Sequence, residues 1–171
     1  DKTFLVLGVA NKKSVAFAVS QVLTEAGAKV TYVVQSPEIK ENVAKIITGA
    51  DIYICDVERE QDVTKLAEDI LKKYPKLHGI VHSIAFANYG EKLKPFHETK
   101  KKDFLQSVDI SCYSLICIAN AFKDVVDKKA SVVTISISTT KMAAEPYAWM
   151  APVKAALDST ICFLAKSFSE F

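Results

Sequence analysis

Tyr147 and Lys154 stand seven positions apart in a segment whose apolar periodicity predicts a helix. At about 100° per residue, seven steps nearly complete two turns, so both side chains would point the same way, about 10 Å apart along the axis. A phenol that titrates near about pH 10 is a poor acid at neutral pH, and a fixed cation nearby favours its ionised form. The pair could therefore donate a proton or a hydrogen bond to an oxygen that gains negative charge.

The same spacing is open to a plainer interpretation. Tyr147 could be a tyrosine of the core and Lys154 a surface lysine, with the interval between them a coincidence. The choice between these interpretations depends on the helices and strands that would position the two side chains.

Strands and helices alternate along the chain. Short apolar runs predict five buried strands, and periodic segments between and after them predict helices. This alternation is typical of the α/β class, and it predicts a doubly wound (Rossmann-like) parallel sheet with helices on both faces, in a single domain over 1–171. The strands are expected at Thr3–Gly8, Lys29–Val34, Asp51–Asp56, His78–Ile84 and Ser131–Ile137, and the helices at Ser14–Gly27 (with these two residues as its caps), Pro37–Ile47, Gln61–Tyr74, Lys101–Asp127 and the segment of Tyr147 and Lys154.

Composition excludes several classes of protein. The chain has 171 residues, of which 50% are hydrophobic and 25% charged, with a net charge of +2, which indicates a soluble globular domain and no binding of nucleic acid. No apolar run approaches the roughly 20 residues that span a bilayer, so we expect no membrane association and a cytoplasmic location. Three histidines lack metal-ligand spacing, so no metal site is expected, and four separated cysteines are expected to be reduced core residues: His78, His82, His97; Cys55, Cys112, Cys117, Cys162.

The turn after the first strand, Gly8 to Ala16, occupies the place where a doubly wound sheet binds a pyrophosphate. It holds one glycine only, so an ordinary loop is the alternative. Gln35 ends the second strand, where a residue facing an adenosine ribose is expected, and Asp56-Val57 ends the third, beside an adenine. Gln35 is neutral and no arginine follows it, which favours NADH over NADPH. Asp56 could instead be a capping or turn residue.

These motifs, in order and spacing, resemble the NADH-dependent enoyl-acyl-carrier-protein reductases of the short-chain dehydrogenase/reductase superfamily. The resemblance covers essentially the whole chain, and the tyrosine–lysine interval of this branch is longer than the interval in ordinary members of the superfamily. The residues that carry it are Gly8-x5-Ser14-Val15-Ala16, Gln35, Cys55-Asp56-Val57, His82-Ser83-Ile84-Ala85-Phe86-Ala87, Asp109-Ile110-Ser111-Cys112-Tyr113-Ser114 and Tyr147-x6-Lys154.

The resemblance implies reduction of a trans-2-enoyl thioester on acyl carrier protein by NADH, in fatty acid biosynthesis. Tyr147 would hydrogen-bond the thioester oxygen, and Lys154 would bind the nicotinamide ribose. It further implies a homotetramer assembled through the helix from Lys101 and the helix of Tyr147. The implied cofactor-binding residues are Gly8, Val9, Ala10, Ser14, Val15, Gln35, Asp56, Val57, Ser83, Ile84, Ala85 and Lys154.

The chain departs from the family pattern at four points. A second tyrosine, ten positions before the catalytic one, is replaced by Ile137, and a glycine pair by Thr139-Thr140. Pro152 would cost a helix interior about 3 kcal/mol, so the helix either begins near Trp149 or kinks. The chain ends at Phe171, where the family continues into a further strand, a substrate-covering loop and a final strand, which we expect to be missing here.

Two other functions are compatible with these residues. A ketone-reducing member of the same superfamily would share the cofactor site, and a dinucleotide-binding homologue without catalysis would be compatible with Ile137 and Pro152.

Overall fold

The computed structural model of the protein describes residues 2–92, 94–138, 143 and 147–169. The chain forms two compact units. The first comprises 1–84 and 117–134, and the second comprises 85–116 and 135–171. The predicted organisation as a single domain stays a prediction.

The first unit is built on a five-stranded sheet in which every strand pairs in parallel. The strand order is β3-β2-β1-β4-β5. Thus β2 and β3 lie on one side of β1, and β4 and β5 lie on the other. This order confirms the predicted doubly wound sheet. The strands are β1 (Thr3–Leu7), β2 (Lys29–Val34), β3 (Ile52–Ile54), β4 (Leu77–His82) and β5 (Val126–Thr134).

Helices join consecutive strands of this sheet: α1 (Val15–Glu25), α2 (Pro37–Ala44) and α3 (Glu60–Lys73). Gly27, with φ of +79°, follows the C-terminal cap of α1 in the left-handed conformation that glycine favours, as predicted. At the start of α2, the Ser36 side chain accepts a hydrogen bond from the Ile39 N–H, and Pro37 occupies the first helical position. These caps place the helix boundaries close to those predicted.

The alternation of side chains along the strands separates the core into two layers, one on each face of the sheet. Leu5, Leu7 and Val33 pack with α3 on one face, whereas Val6 and Val34 pack with α1 and α2 on the other. Because both faces are covered there, residues 5–7 of β1 and 32–34 of β2 are apolar without alternation, which is the pattern of a buried parallel strand. The edge strand β5 differs, because it carries Asp127, Lys128 and Lys129 and is largely exposed.

The second unit is helical. It contains α4 (Lys101–Val108), a single π-helical turn (Asp109–Tyr113), the start of α5 (Ser114–Phe122) and α6 (Met150–Phe168), with a short 3-10 helix at Phe96–Glu98. Its core is a separate cluster in which α6 packs against the π-helical turn and α5. The buried members of this cluster are Cys112, Leu115, Trp149, Met150, Val153 and Leu157.

The structure corrects two predicted boundaries. The helix expected to continue to Asp127 ends at Phe122, and the strand expected at Ser131–Ile137 begins at Val126 and ends at Thr134. Val126 lies opposite Leu77 of β4, and the Leu77 N–H donates to the Val125 carbonyl at 2.9 Å. Pairing with a neighbouring strand therefore overrides the apolar spacing that continues the helical pattern.

A further correction concerns the apolar helical run Lys101–Phe122. Its 22 residues are long and apolar enough to cross a bilayer by length and composition, contrary to the expectation that no such run exists. However, 44% of its most apolar window is buried, and core helices of soluble proteins pass the same test. This run is weak evidence for a membrane span.

Candidate active site

The ends of β1, β2 and β4 meet at Gly8. Its N–H donates to the Val33 carbonyl at 3.3 Å, and the Ser83 N–H donates to the Leu7 carbonyl at 3.2 Å. Gly8 has φ of +95°, and a Cβ placed on it would lie 1.9 Å from the Ser83 carbonyl oxygen. Only glycine meets both conditions, so the chain can leave β1 in this direction and pass close beside the end of β4.

The turn after Gly8 leads into α1, whose N-terminus has neither a side-chain cap nor an acidic residue in its first turn. Ser14 occupies the N-cap position, as predicted, but its hydroxyl donates to the Asn11 carbonyl at 2.6 Å and caps no helical N–H. The first turn of α1 carries no acidic residue. Because these N–H groups meet neither a side-chain cap nor a carboxylate, the helix end suits an anion. Of the other predicted residues here, Val9 is buried, and Ala10 and Val15 are exposed.

Gln35 and Asp56 follow β2 and β3 at the same edge of the sheet. Gln35 is exposed. Asp56 is half-buried, and its carboxylate accepts from the Glu58 N–H at 3.3 Å and lies 3.7 Å from Arg59 Nε. The turn-residue interpretation of Asp56 therefore describes its contacts in this structure. Val57 is partly buried against the core cluster of α3.

The residues after β4 occupy different environments. Ser83 and Ile84 are half-buried, and Ala85 is exposed. His82 is fully buried, with its Nδ1 2.8 Å from the Thr134 hydroxyl, which itself donates to the His82 carbonyl at 3.1 Å. This pair joins the last residues of β4 and β5, so His82 has a structural role.

Lys154 lies in the first two turns of α6 and is only 2% exposed. Its Nζ donates to the carbonyl of Ile135, the residue directly after β5, at 2.8 Å. Burial lowers the pKa of this ammonium, while nearby Cys112 and Asp158 act in the opposite direction. A lysine buried in this way is held at one place by its hydrogen bonds, unlike a surface lysine.

Tyr147 lies outside the helix, which corrects the predicted two-turn geometry. Helix α6 begins at Met150, Ala148 has φ of +41°, and Tyr147 belongs to the turn that precedes them. Pro152 is the third residue of α6, where its missing N–H disrupts no helical hydrogen bond, so the alternative in which the helix begins near Trp149 is confirmed.

The plainer interpretation of the pair is also wrong, because the exposures are reversed. Tyr147 is 41% exposed and Lys154 is buried, whereas that interpretation required a core tyrosine and a surface lysine. The structure thus presents an accessible phenol and a fixed amine.

Three residues that sequence reasoning did not place at the site surround the turn of Tyr147. The Tyr89 hydroxyl donates to the Tyr147 carbonyl at 3.2 Å, and the Trp149 indole N–H donates to the Ser107 hydroxyl at 2.8 Å. Trp149 is a core residue. The separations of 58 and 42 residues leave no local signal by which these contacts could be found.

The remaining candidates fall into distinct classes. His78 accepts from the Thr3 N–H at 3.0 Å, His97 is exposed, and no group of three or more metal-ligating side chains occurs among the residues described above. Cys162 is exposed, which corrects its assignment to the core. Ile137 is half-buried, and Thr139-Thr140 lie outside the described residues.

The family model and the individual relatives that this chain matches all indicate the same family. A family model described as enoyl-(acyl carrier protein) reductase matches residues 8–171. The NADPH-named enoyl-[acyl-carrier-protein] reductase FabI of Staphylococcus aureus is 32% identical over 170 residues, which are 96% of this chain and 66% of that protein. The NADH-named FabI of Bacillus cereus is 29% identical over 174 residues, which are 99% of this chain and 68% of that protein.

Solved structures agree with the sequence comparison. The NADH enoyl-[acyl-carrier-protein] reductase of Aquifex aeolicus superposes with a TM-score of 0.94 at 29% identity, over 99% of this chain and 68% of that one. The Bacillus cereus enzyme, solved with NADP+ and an indole naphthyridinone, gives the same TM-score. The chain spans about two thirds of the length of these relatives. On the match over residues 8–171 and the shared fold, the chain belongs to the enoyl-(acyl carrier protein) reductase family.

Proposed function

We propose that the protein reduces trans-2-enoyl-acyl-carrier-protein to acyl-acyl-carrier-protein with NADH, in fatty acid biosynthesis. The observation that supports this proposal most strongly is the environment of the Tyr147 hydroxyl and the Lys154 amine in the second unit. Lys154 is 2% exposed and fixed to the Ile135 carbonyl, and Tyr147, seven residues earlier, is accessible. A fixed cation and an accessible phenol are the groups that this reduction requires of the protein.

The first unit fits a dinucleotide. The open N-terminus of α1 and the close approach at Gly8 suit a pyrophosphate, and the half-buried Ser83 follows β4 at the same edge of the sheet. The residues proposed to hold the cofactor are Gly8, Val9, Ala10, Ser14, Val15, Gln35, Asp56, Val57, Ser83, Ile84, Ala85 and Lys154. When bound, the nicotinamide supplies the hydride that is delivered to C3 of the enoyl group.

Tyr147 acts on the substrate. Its hydroxyl donates to the thioester carbonyl oxygen, which becomes more negative as the hydride adds to C3, and this donation stabilises the resulting enolate until a proton from solvent reaches C2. Lys154 would hold the nicotinamide ribose hydroxyls through Nζ and would add positive potential. Neutral Gln35, which no arginine follows, favours NADH over NADPH, whereas relatives are named for either cofactor.

The proposed partners are acyl carrier protein and three further copies of this chain. Exposed apolar side chains on the helical run Lys101–Phe122 and on α6 support a homotetramer, since such residues are candidates for burial between subunits. They are Leu105 (52% exposed), Tyr113 (41%), Ile116 (38%), Ile161 (38%) and Phe163 (77%). We place the enzyme in the cytoplasm, bound to neither nucleic acid nor membrane.

Turnover by the full-length protein tests the proposal. We expect oxidation of NADH with crotonyl thioester and none with acetoacetyl thioester, with slower oxidation of NADPH. Tyr147→Phe should lower kcat by about 100-fold, because it removes the donor to the oxygen. Tyr53→Phe makes the same chemical change in β3 and should leave kcat unchanged.

The alternative functions give different results. Turnover of acetoacetyl thioester alone would indicate a ketone reductase. Binding of NADH without turnover of either thioester would indicate a homologue that binds the dinucleotide without catalysis.

A further inference from the structure

Ala148, the residue between Tyr147 and Trp149, has φ of +41°. It is the one non-glycine residue in the left-handed region among those the structure describes. An L residue with a Cβ rarely adopts this conformation, so contacts on the neighbouring residues have to maintain it. The direction in which the chain leaves Tyr147 depends on these contacts.

On the C-terminal side, Trp149 anchors the turn in the core of the second unit. The indole is 5% exposed, and its N–H donates to the hydroxyl of fully buried Ser107 at 2.8 Å. Ser107 in turn donates to the Asp103 carbonyl at 2.9 Å, so both hydroxyl functions are used. A buried hydrogen bond of this kind fixes the indole in orientation as well as in depth.

On the N-terminal side, Tyr89 holds the backbone of Tyr147 itself. Its hydroxyl donates to the Tyr147 carbonyl at 3.2 Å, and its ring centre lies 4.9 Å from that of Trp149 with a tilt of 51°. Burial raises the pKa of Tyr89, so the phenol remains a donor over the physiological range. Tyr89, Trp149 and Ser107 form what we term the aromatic clamp.

The clamp acts on a side chain that packing constrains little. Because Tyr147 is 41% exposed, fewer neighbours restrict its ring than restrict a core tyrosine, and its backbone orientation decides where the hydroxyl lies. We propose that Tyr89 and Trp149 are positioning residues that hold the Tyr147 phenol in its productive orientation. This inference rests on the proposed function, and it assigns to the clamp no contact with substrate.

Kinetics of the full-length protein test the proposal. Tyr89→Phe keeps the ring and removes the donor to the Tyr147 carbonyl, and Ser107→Ala removes the acceptor of the indole. We expect each change to lower kcat by about 10-fold, since displacement of a reacting group by about 1 Å costs rates of this order or more, and to change the KM for crotonyl thioester by less than about 2-fold. Tyr53→Phe, the matched loss of a phenol hydroxyl in β3, should change neither constant.

A rescue experiment separates positioning from general stability. Glycine adopts positive φ readily, so Ala148→Gly in the Tyr89→Phe background should recover part of the lost kcat, by about 3-fold. If Tyr89 served only to stabilise the protein, Tyr89→Phe would lower the free energy of unfolding and leave the kcat of the folded protein unchanged, so there would be no loss of kcat for the second change to recover.

A readout independent of activity is available because Trp149 is the only tryptophan in the sequence. The indole N–H therefore gives a single resonance in a ¹⁵N-labelled sample. We expect Ser107→Ala and Tyr89→Phe to shift this resonance and to increase quenching of the tryptophan fluorescence by acrylamide, and Tyr53→Phe to do neither.

The outcomes distinguish the two proposals. An unmodified protein that reduces crotonyl thioester, together with Tyr89→Phe and Ser107→Ala variants that retain kcat, would overturn the positioning role alone. An indole resonance that does not respond to Ser107→Ala would also overturn it. Lack of enoyl reduction by the unmodified protein would contradict the proposed function, and the indole resonance would then decide whether the clamp holds the turn.

Discussion

Gly8 and Ser83 approach each other so closely that a Cβ at position 8 would lie 1.9 Å from the Ser83 carbonyl oxygen. The contact joins the end of β1 to the end of β4, the two strands between which the direction of the sheet order changes. A doubly wound sheet opens a crevice for ligands at this point. One missing side chain thus decides whether the turn after β1, which we propose to bind the cofactor pyrophosphate, keeps its shape.

Gly8→Ala should destabilise the protein by about 3 kcal/mol or more, because the new methyl group meets backbone atoms and φ of +95° strains it in addition. Gly27→Ala is the matched control. It has a similar positive φ of +79° and nothing within 4 Å of the added Cβ, so a loss of about 1 kcal/mol is expected. Urea unfolding of both variants measures the difference, and equal losses would show that the close approach to Ser83 is not rigid.

Lys154→Met should change how stability depends on pH. Burial lowers the pKa of Lys154, so between that value and the ordinary 10.5 the unfolded chain binds more protons than the folded one. The Lys154 contribution to the free energy of unfolding therefore rises with pH in this window, and the variant should lack that rise. Urea unfolding from pH 7 to 10.5 provides the measurement.

The quantity to follow is the difference in free energy of unfolding between the unmodified protein and Lys154→Met, because the contributions of the other titrating groups cancel in it. A difference that stays constant over the window would show that the amine is hydrated in the folded protein.

Asp51 and Tyr74 form a polar anchor at the start of β3. The Tyr74 hydroxyl and Lys73 Nζ, the latter at 2.6 Å, both donate to the Asp51 carboxylate. Asp51→Asn should lower the free energy of unfolding by about 1 kcal/mol at pH 7. The loss is small because 29% of the Asp51 side chain is exposed to solvent. Tyr74→Phe and the double variant complete a double-mutant cycle. The double variant should lose less free energy of unfolding than the sum of the losses of the two single variants.

The same carboxylate contributes to acid sensitivity. The hydrogen bond from Lys73, and then the one from Tyr74, lower the pKa of Asp51 below its ordinary 3.8. Its contribution to stability is therefore present above pH 3.8 and is lost as the pH falls through the lowered value. The difference between the unmodified protein and Asp51→Asn should shrink there, and a difference that persists at lower pH would contradict the assignment.

Cys55 should make the protein sensitive to alkali. Burial, with smaller contributions from Asp62 and Asp56, raises the pKa of this thiol from 9.0 to about 12. Above pH 9 the unfolded chain loses the proton and the folded chain keeps it, so stability falls by up to about 1.4 kcal/mol per pH unit until about pH 12. Cys55→Ala should remove this slope, and unfolding between pH 9 and 11 would reveal it.

Thiol labelling gives a second measure of the same environment. Exposed Cys162 should react rapidly with a disulfide reagent in the folded protein, and buried Cys55 only after unfolding. Rapid labelling of Cys55 in the native state would contradict its burial.

The sequence by itself determined the sheet and the turns that depend on single residues. Buried parallel strands are apolar on both faces, and helices between them carry local start and stop signals, so the alternation of elements and the positions of Gly8 and Gly27 were predictable. Both signals lie within a few residues of the feature they specify, which is why no knowledge of the remaining chain was needed.

Only the tertiary structure decided where Tyr147 and Lys154, the proposed catalytic residues, lie. Periodicity assigned Tyr147 to the helix of Lys154, but the helix begins at Met150, and Tyr147 belongs to a turn held by contacts with Tyr89 and Ser107. In the same way, pairing with β4 set the limits of β5 against its apolar spacing. Such contacts join residues 42 to 58 positions apart, and their energies appear in no local window of the sequence.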